Sequence, residues 1–358
     1  MTFKTMLLGT AATVFVAGTA AANDLTVVSW GGAYTKSQVE AYHKPWMAET
    51  GKTIISEDYN GGLAEVKAQV EAGNVTWDIV DVELSDAVRG CDEGLFEEID
   101  ASILPPGADG TPAEADFIEG SINDCAVANI LWSTIFAYDK AVLSEGPTSL
   151  ADFFDTEAFP GKRGIRKSPK AILEMALIGD GVPHDEVYDL LETDEGVDRA
   201  FAKLDTIKGD VVWWEAGAQP PQLLADGEVV MTTAYNGRIF NAAIGEGQDF
   251  EIVWDGQVLD YDLWAIPKGA PNLENALDFM VFSTSTEQLA AQASWISYGP
   301  ARKSAGPLVG TYNDGKTEMA PHMPTAEANM ETAIVTNYEF WADNQDELDE
   351  RFSAWLAQ

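Results

Sequence analysis

Residues 25–82 read LTVVSWGGAYTKSQVEAYHKPWMAETGKTIISEDYNGGLAEVKAQVEAGNVTWDIVDV, and the pattern within them decides the fold. The runs LTVVSW (25–30), TIISEDY (53–59) and WDIVDV (77–82) are short and rich in branched and aromatic residues, as strands are. Between them, residues 37–50 and 63–72 read as helices from their apolar spacing, and Gly31-Gly32 forms the first turn. Strands alternating with helices predict parallel sheets covered by helices, because a parallel pair needs a long crossover. Ligands of open α/β sheets bind beyond the carboxyl ends of the strands. The segments holding Trp30, Tyr34 and Glu83 lie there, with Glu83-Leu84-Ser85 read as a loop.

Outward from this unit, residues 129–139 (NILWSTIFAYD) predict a long crossing strand, and a second alternation follows. Its strands fall at 164–166, 211–214, 229–235 and 250–254, with helices at 170–178, 187–191 and 196–207. Residues 261–267 (YDLWAIP) cross back, and helices at 273–283, 286–295 and 344–356 close the chain. No Gly/Ser-rich or Pro-rich linker separates the halves, so several short crossovers would form a hinge. The expectation is an α/β protein of two lobes with mixed sheets: 23–136 with 262–302, and 137–261 with 303–358.

The amino terminus carries a processing pattern. Lys4 supplies a positive region, residues 6–16 are mostly apolar, and Ala20-Ala21-Ala22 gives an A-x-A site before Asn23. Residues 1–22 therefore read as a signal peptide cleaved after Ala22. The run breaks at Gly18, short of the roughly 20 apolar residues that a membrane span needs. No cysteine lies near the cleavage point, and no later stretch is apolar enough to insert stably in a membrane. The expected location is the periplasm.

Composition narrows the partners. The chain has 59 Asp plus Glu against 21 Lys plus Arg, a formal charge of −38. Such a field repels nucleic acid and anionic lipid and aids solubility. Cys91 and Cys125 are the only cysteines. In an oxidising compartment an even count favours a disulfide. A metal pair is the rival, but His43, His184 and His322 follow no zinc spacing. No nucleophile elbow, zinc-protease or dinucleotide motif occurs, so no cofactor is expected and the chain does not read as an enzyme. A chance pair of carboxylates imitating a glycosidase keeps a secreted hydrolase as the remote alternative.

What the strand ends do offer is aromatics and acids: Trp30, Tyr34, Glu83, Trp132, Trp213, Trp214, Tyr235, Asp262 and Tyr298. Aromatic faces attract a cationic amine at roughly 0.5–2 kcal/mol per contact, and carboxylates fix it with charge-assisted hydrogen bonds. Each aromatic alone is as well explained by core packing. The set is what suggests a site.

The landmarks TVVSWGGAY, WDIVD, EGLFEEID (93–100), the strand around Trp132, YNGR (235–238), LDYD (259–262) before WAIP, and ISYGP (296–300) follow one another in order. In that order they resemble the family 1 extracellular solute-binding proteins of ABC importers, of the spermidine/putrescine type, over nearly all of the mature chain. The resemblance implies a periplasmic binding protein-like fold whose lobes close on a small ligand and deliver it to an inner-membrane permease; a monomer is expected. For the family's polyamine contacts, the matching positions are Trp30, Tyr235, Asp262 and Tyr298. The ligand so implied is putrescine or spermidine.

Departures from the family leave a second ligand open. Where polyamine binders carry acids, this chain reads Arg166-Lys167-Ser168-Pro169-Lys170, and Arg238 adds another cation. Positive groups facing inward would suit a zwitterion such as 4-aminobutyrate. The alternative for these residues is a solvated helix start and a local ion pair for Arg238. An iron receptor of similar fold would show clustered Tyr and His ligands, and a chemoreceptor role is not separable from transport by sequence.

Overall fold

The computed structural model describes residues 24–358; the expected signal peptide lies outside the described residues. Ten strands form one mixed sheet. They are β1 (Asp24–Ser29), β2 (Thr53–Asp58), β3 (Ile79–Glu83), β4 (Ala126–Asp139), β5 (Arg163–Arg166), β6 (Val211–Trp214), β7 (Met231–Tyr235), β8 (Phe250–Ala265), β9 (Gly299–Pro300) and β10 (Ile334–Val335). The order is β2-β1-β3-β8-β4-β7-β5-β6, with β9 on β4 and β10 on β8. β1 is parallel to β2 and β3, and β5 to β6 and β7. Between these two parallel halves, β4 and β8 pair antiparallel with each other and with the flanking β7 and β3.

The crossing strands are 14 and 16 residues long, roughly 45–55 Å at the rise of a β-strand. The sequence reading split β8 in two at Asp255-Gly256. The backbone instead continues through Gly256 at φ 66, a conformation that glycine adopts without penalty. The β4–β8 ladder shifts register between Ala128 and Ile130 and again between Thr134 and Phe136. Such bulges re-aim side chains.

Along β4 and β8 the chain passes from one apolar core to another. Leu131 and Leu259 belong to a core built on β1, β3 and the helix Leu273–Ser283, whereas Phe136 and Val258 belong to one built on the helices Ile172–Gly179 and Asp194–Asp205. The helix Tyr338–Leu356 joins the second core through Phe340, Trp341, Leu348, Phe352 and Trp355. It starts six residues before the helix read from the sequence, where Asn337 accepts the Phe340 backbone N–H as a cap.

Cys91 and Cys125 form a disulfide, with Cα atoms 5.7 Å apart, that ties the end of the helix Leu84–Asp92 to the approach of β4. That helix begins directly after Glu83, so the loop read there is absent. Among the described residues no helix is long and apolar enough to cross a membrane.

Candidate ligand-binding site

The carboxyl ends of the parallel strands meet where the two cores adjoin. Trp30 follows β1, Glu83 ends β3 and Tyr235 ends β7. The crossing strands contribute Trp132 and Asp262, and Tyr298 precedes β9. Tyr34 lies in the helix Gly32–Gln38 and Arg238 in the helix Asn236–Phe240. These eight side chains line one narrow cavity of about 20 Å³. That is room for about one water molecule, so a ligand would enter only as the lining side chains part.

Five of the eight are aromatic, and they brace one another. Tyr34 meets Tyr298 edge-on at 5.4 Å, and Trp132 meets Tyr235 at 4.8 Å. Tyr34 Oη donates to Asn129 Oδ1 at 3.1 Å, and Asn129 sits within the first register shift of β4. Such rings offer faces to an alkyl chain or ammonium.

Trp214 packs on Tyr235 at 5.5 Å and belongs to the same aromatic cluster without lining the cavity. Trp213 is separated from the group altogether. Successive strand residues point to opposite faces, and its ring packs at 5.7 and 5.8 Å on Phe352 and Trp355 of the carboxy-terminal helix. The sequence alternation of β6 held this distinction, and the paired tryptophans obscured it.

Asp262 is buried and accepts from Trp132 Nε1 at 2.8 Å. Burial, reinforced by Asp81, Glu83 and Asp260, pushes its carboxyl well above the usual range. A carboxylate so placed gains most from an incoming cation.

Glu83 is differently situated. Lys170 donates to Glu83 Oε2 at 2.8 Å, and Arg166 Nη1 lies 3.4 Å from Oε1. Burial alone would raise its pKa, but Lys170 and Arg166 outweigh that and hold it below the ordinary carboxylate value. Its expected task of anchoring a ligand ammonium is thus already taken by side chains of the protein. Lys170 is 3% exposed and also bonds Ser85 Oγ and Asp260 Oδ2. Lys167, by contrast, is a surface residue paired with Glu215 at 3.0 Å. Of the cations at this turn, one is solvated and two reach the site.

Among the described residues, Arg238 pairs with no acid. Its Nη1 donates to the Gly31 carbonyl at 2.6 Å and its Nη2 to the Trp30 carbonyl at 3.1 Å, crossing from one side of the cleft to the other. Gly31 and Gly32 have φ of 70 and 58, and a Cβ on Gly32 would lie 2.6 Å from Arg238 Nη1. Only glycine lets the guanidinium come so close. Two cavity-lining side chains, Trp30 and Arg238, carry a buried N–H (Nε1 and Nε) that has no acceptor among the described residues. Buried donors without partners are costly, and an anionic acceptor would relieve both.

Sequence reasoning missed the layer beneath the cavity. Asp81 accepts from Gln38 Nε2 at 2.6 Å and is pushed up to about 7, chiefly by burial. Asp260 binds Lys170. Both acids lie inside quoted motifs, WDIVD and LDYD, but their partners are distant in sequence. Asp78, just before β3, ties β1 to the start of the helix Leu273–Ser283, accepting from the Thr26 and Asn272 backbone N–H groups. Among the described residues, no group of three or more His, Cys, Asp or Glu is arranged to hold a metal ion.

Residues 41–325 match the model of the bacterial extracellular solute-binding protein family. The gamma-aminobutyric acid-binding protein of Pseudomonas aeruginosa PAO1 is 46% identical over 96% of this chain and 93% of its own length. The putrescine-binding periplasmic protein SpuD of P. aeruginosa UCBPP-PA14 is 26% identical over 82% of this chain and 83% of its own. The crystal structure of the PBP MotA from A. tumefaciens B6 in complex with glucopine superposes with a TM-score of 0.84 at 32% identity, covering 93% of this chain and 99% of that one. The periplasmic binding protein fold inferred from the sequence agrees with these matches. The spermidine/putrescine type does not gain the same support.

Proposed function

The chain belongs to the bacterial extracellular solute-binding proteins, and on that premise we propose that it is the periplasmic receptor of an ABC importer for a short zwitterionic ω-amino acid such as 4-aminobutyrate. The observation that carries this reading is the charge arrangement of the cavity. Asp262 offers the acceptor for one ammonium, Arg238 and Trp30 hold unpartnered donors for a carboxylate, and Glu83 is already neutralised by Lys170 and Arg166. The aromatic rings would enclose the methylene stem between the ends.

The relative named for gamma-aminobutyric acid supports the same choice over a polyamine. A polyamine would need Asp262 and Glu83 together as ammonium anchors, and Glu83 is held by Lys170 and Arg166. The lobes proposed are residues 23–136 with 262–302 and 137–261 with 303–358, closing by bending of the crossing strands; secretion would follow cleavage after Ala22.

Titration calorimetry with 4-aminobutyrate, putrescine and spermidine tests the proposal. A one-to-one isotherm with 4-aminobutyrate and none with the polyamines is expected. Heat with putrescine alone overturns it.

A further inference from the structure

Resting on the ω-amino acid reading of the cleft, we infer that Lys170 is a specificity-determining residue: its ammonium occupies the second cation position of the site and so restricts the ligand to one ammonium. The Lys170 Nζ has three donors, and three acceptors surround it, Glu83 Oε2 at 2.8 Å, Ser85 Oγ at 2.9 Å and Asp260 Oδ2 at 2.8 Å. This is the coordination that a ligand ammonium would seek. Glu83 lines the cavity, and it stands directly opposite Asp262 in the β3–β8 register. A diamine with one end at Asp262 would find its second carboxylate there, were Lys170 not in place.

The backbone supports the placement. Ala171 has φ 67 and is the only non-glycine residue at positive φ among the described residues. Such a conformation costs free energy and persists where the surroundings over-determine it. It follows immediately on Lys170, which the second side of the cleft thereby delivers to acids from β3 and β8. Arg166 assists from β5, its guanidinium 5.6 Å from the centre of the Tyr235 ring.

Removing the Lys170 charge would leave Glu83 and Asp260 without their shared partner. An unpaired buried acid recruits a cation strongly, and putrescine could supply it.

Calorimetry on the full chain, comparing wild type with Lys170→Met, reads this directly. The ratio of putrescine affinity to 4-aminobutyrate affinity should rise at least about tenfold in Lys170→Met, and the double variant Glu83→Gln/Lys170→Met should lose the gain. Lys170→Gln, which keeps polar contact without charge, gives the same readout if Lys170→Met does not fold. A folded variant that rejects putrescine as wild type does overturns the inference. Wild type failing to bind 4-aminobutyrate would instead refute the functional reading, while the variant's gain of putrescine binding still reports on Lys170.

Discussion

Glu83 and Asp262 stand opposite one another in the antiparallel register of β3 and β8, two buried carboxylates on neighbouring strands. Like charges directly opposed destabilise a sheet. The conflict is resolved unequally: Lys170 and Arg166 keep Glu83 ionised, whereas burial and its acidic neighbours push the Asp262 carboxyl up. One acid is thus part of the scaffold and the other remains responsive to a ligand.

Asp262→Asn should therefore weaken 4-aminobutyrate binding by about 2–5 kcal/mol, the cost of losing the partner of a buried charge, with little change in folding. Wild-type affinity should also fall as pH is lowered, since protonating Asp262 removes the acceptor. Calorimetry at several pH values measures both effects, and an Asn variant of unchanged affinity removes Asp262 from the ligand.

Arg238→Met tests the other end. It should weaken 4-aminobutyrate by at least about tenfold, a loss of 1.4 kcal/mol or more, while leaving the weaker binding of butylamine nearly unchanged. Equal losses for both ligands would indicate that Arg238 acts only by holding the Trp30 and Gly31 carbonyls.

Gly32→Ala should reduce affinity without unfolding the chain. Its φ of 58 and the 2.6 Å approach of Arg238 Nη1 leave no place for a methyl group, so the guanidinium must shift. Circular dichroism and calorimetry together distinguish this from a global loss of structure.

Stability should decline as pH rises from about 4 to 7. Asp81 and Glu174 are both pushed up to about 7 and Asp86 to about 6, in each case chiefly by burial. A carboxyl raised by folding binds its proton more tightly in the native state, so its contribution is fully present below the unfolded value near 4 and lost as pH climbs through 6–7. Glu83, lowered by its partners, acts oppositely, with its contribution lost only at more acidic pH. Glu174 accepts from Trp341 Nε1 and Tyr188 Oη at 2.6 and 2.9 Å, and Glu174→Gln should flatten the profile. Thermal melts in unliganded protein at fixed ionic strength check this; a melting temperature that rises toward pH 7 contradicts it.

Removing the Cys91–Cys125 bridge should cost about 3–4 kcal/mol by chain entropy, lowering the melting temperature by roughly 4–6 °C. Differential scanning calorimetry of the double serine variant reads the shift. Ligand affinity should be retained, because neither cysteine lines the cavity.

The amino-acid sequence by itself determined the α/β class, because alternation of branched strands with amphipathic helices is a local pattern, legible at residues 25–82 without any distant contact. It also located the strand ends, and with them seven of the eight side chains around the cavity; Arg238 stood out only as a departure from the family pattern. Charge and hydrogen-bond partnership are different in kind. Whether Lys170 is solvated or buried depends on Glu83 and Asp260, 87 and 90 positions away in the chain, and whether Arg238 meets an acid or a carbonyl depends on Gly31 across the cleft. The two adjacent tryptophans of β6 divide between site and core by the pleat of one strand. Only the tertiary structure decided which carboxylate is left without a cationic partner, because an ion pair is a property of two chain segments brought together and of the water excluded between them.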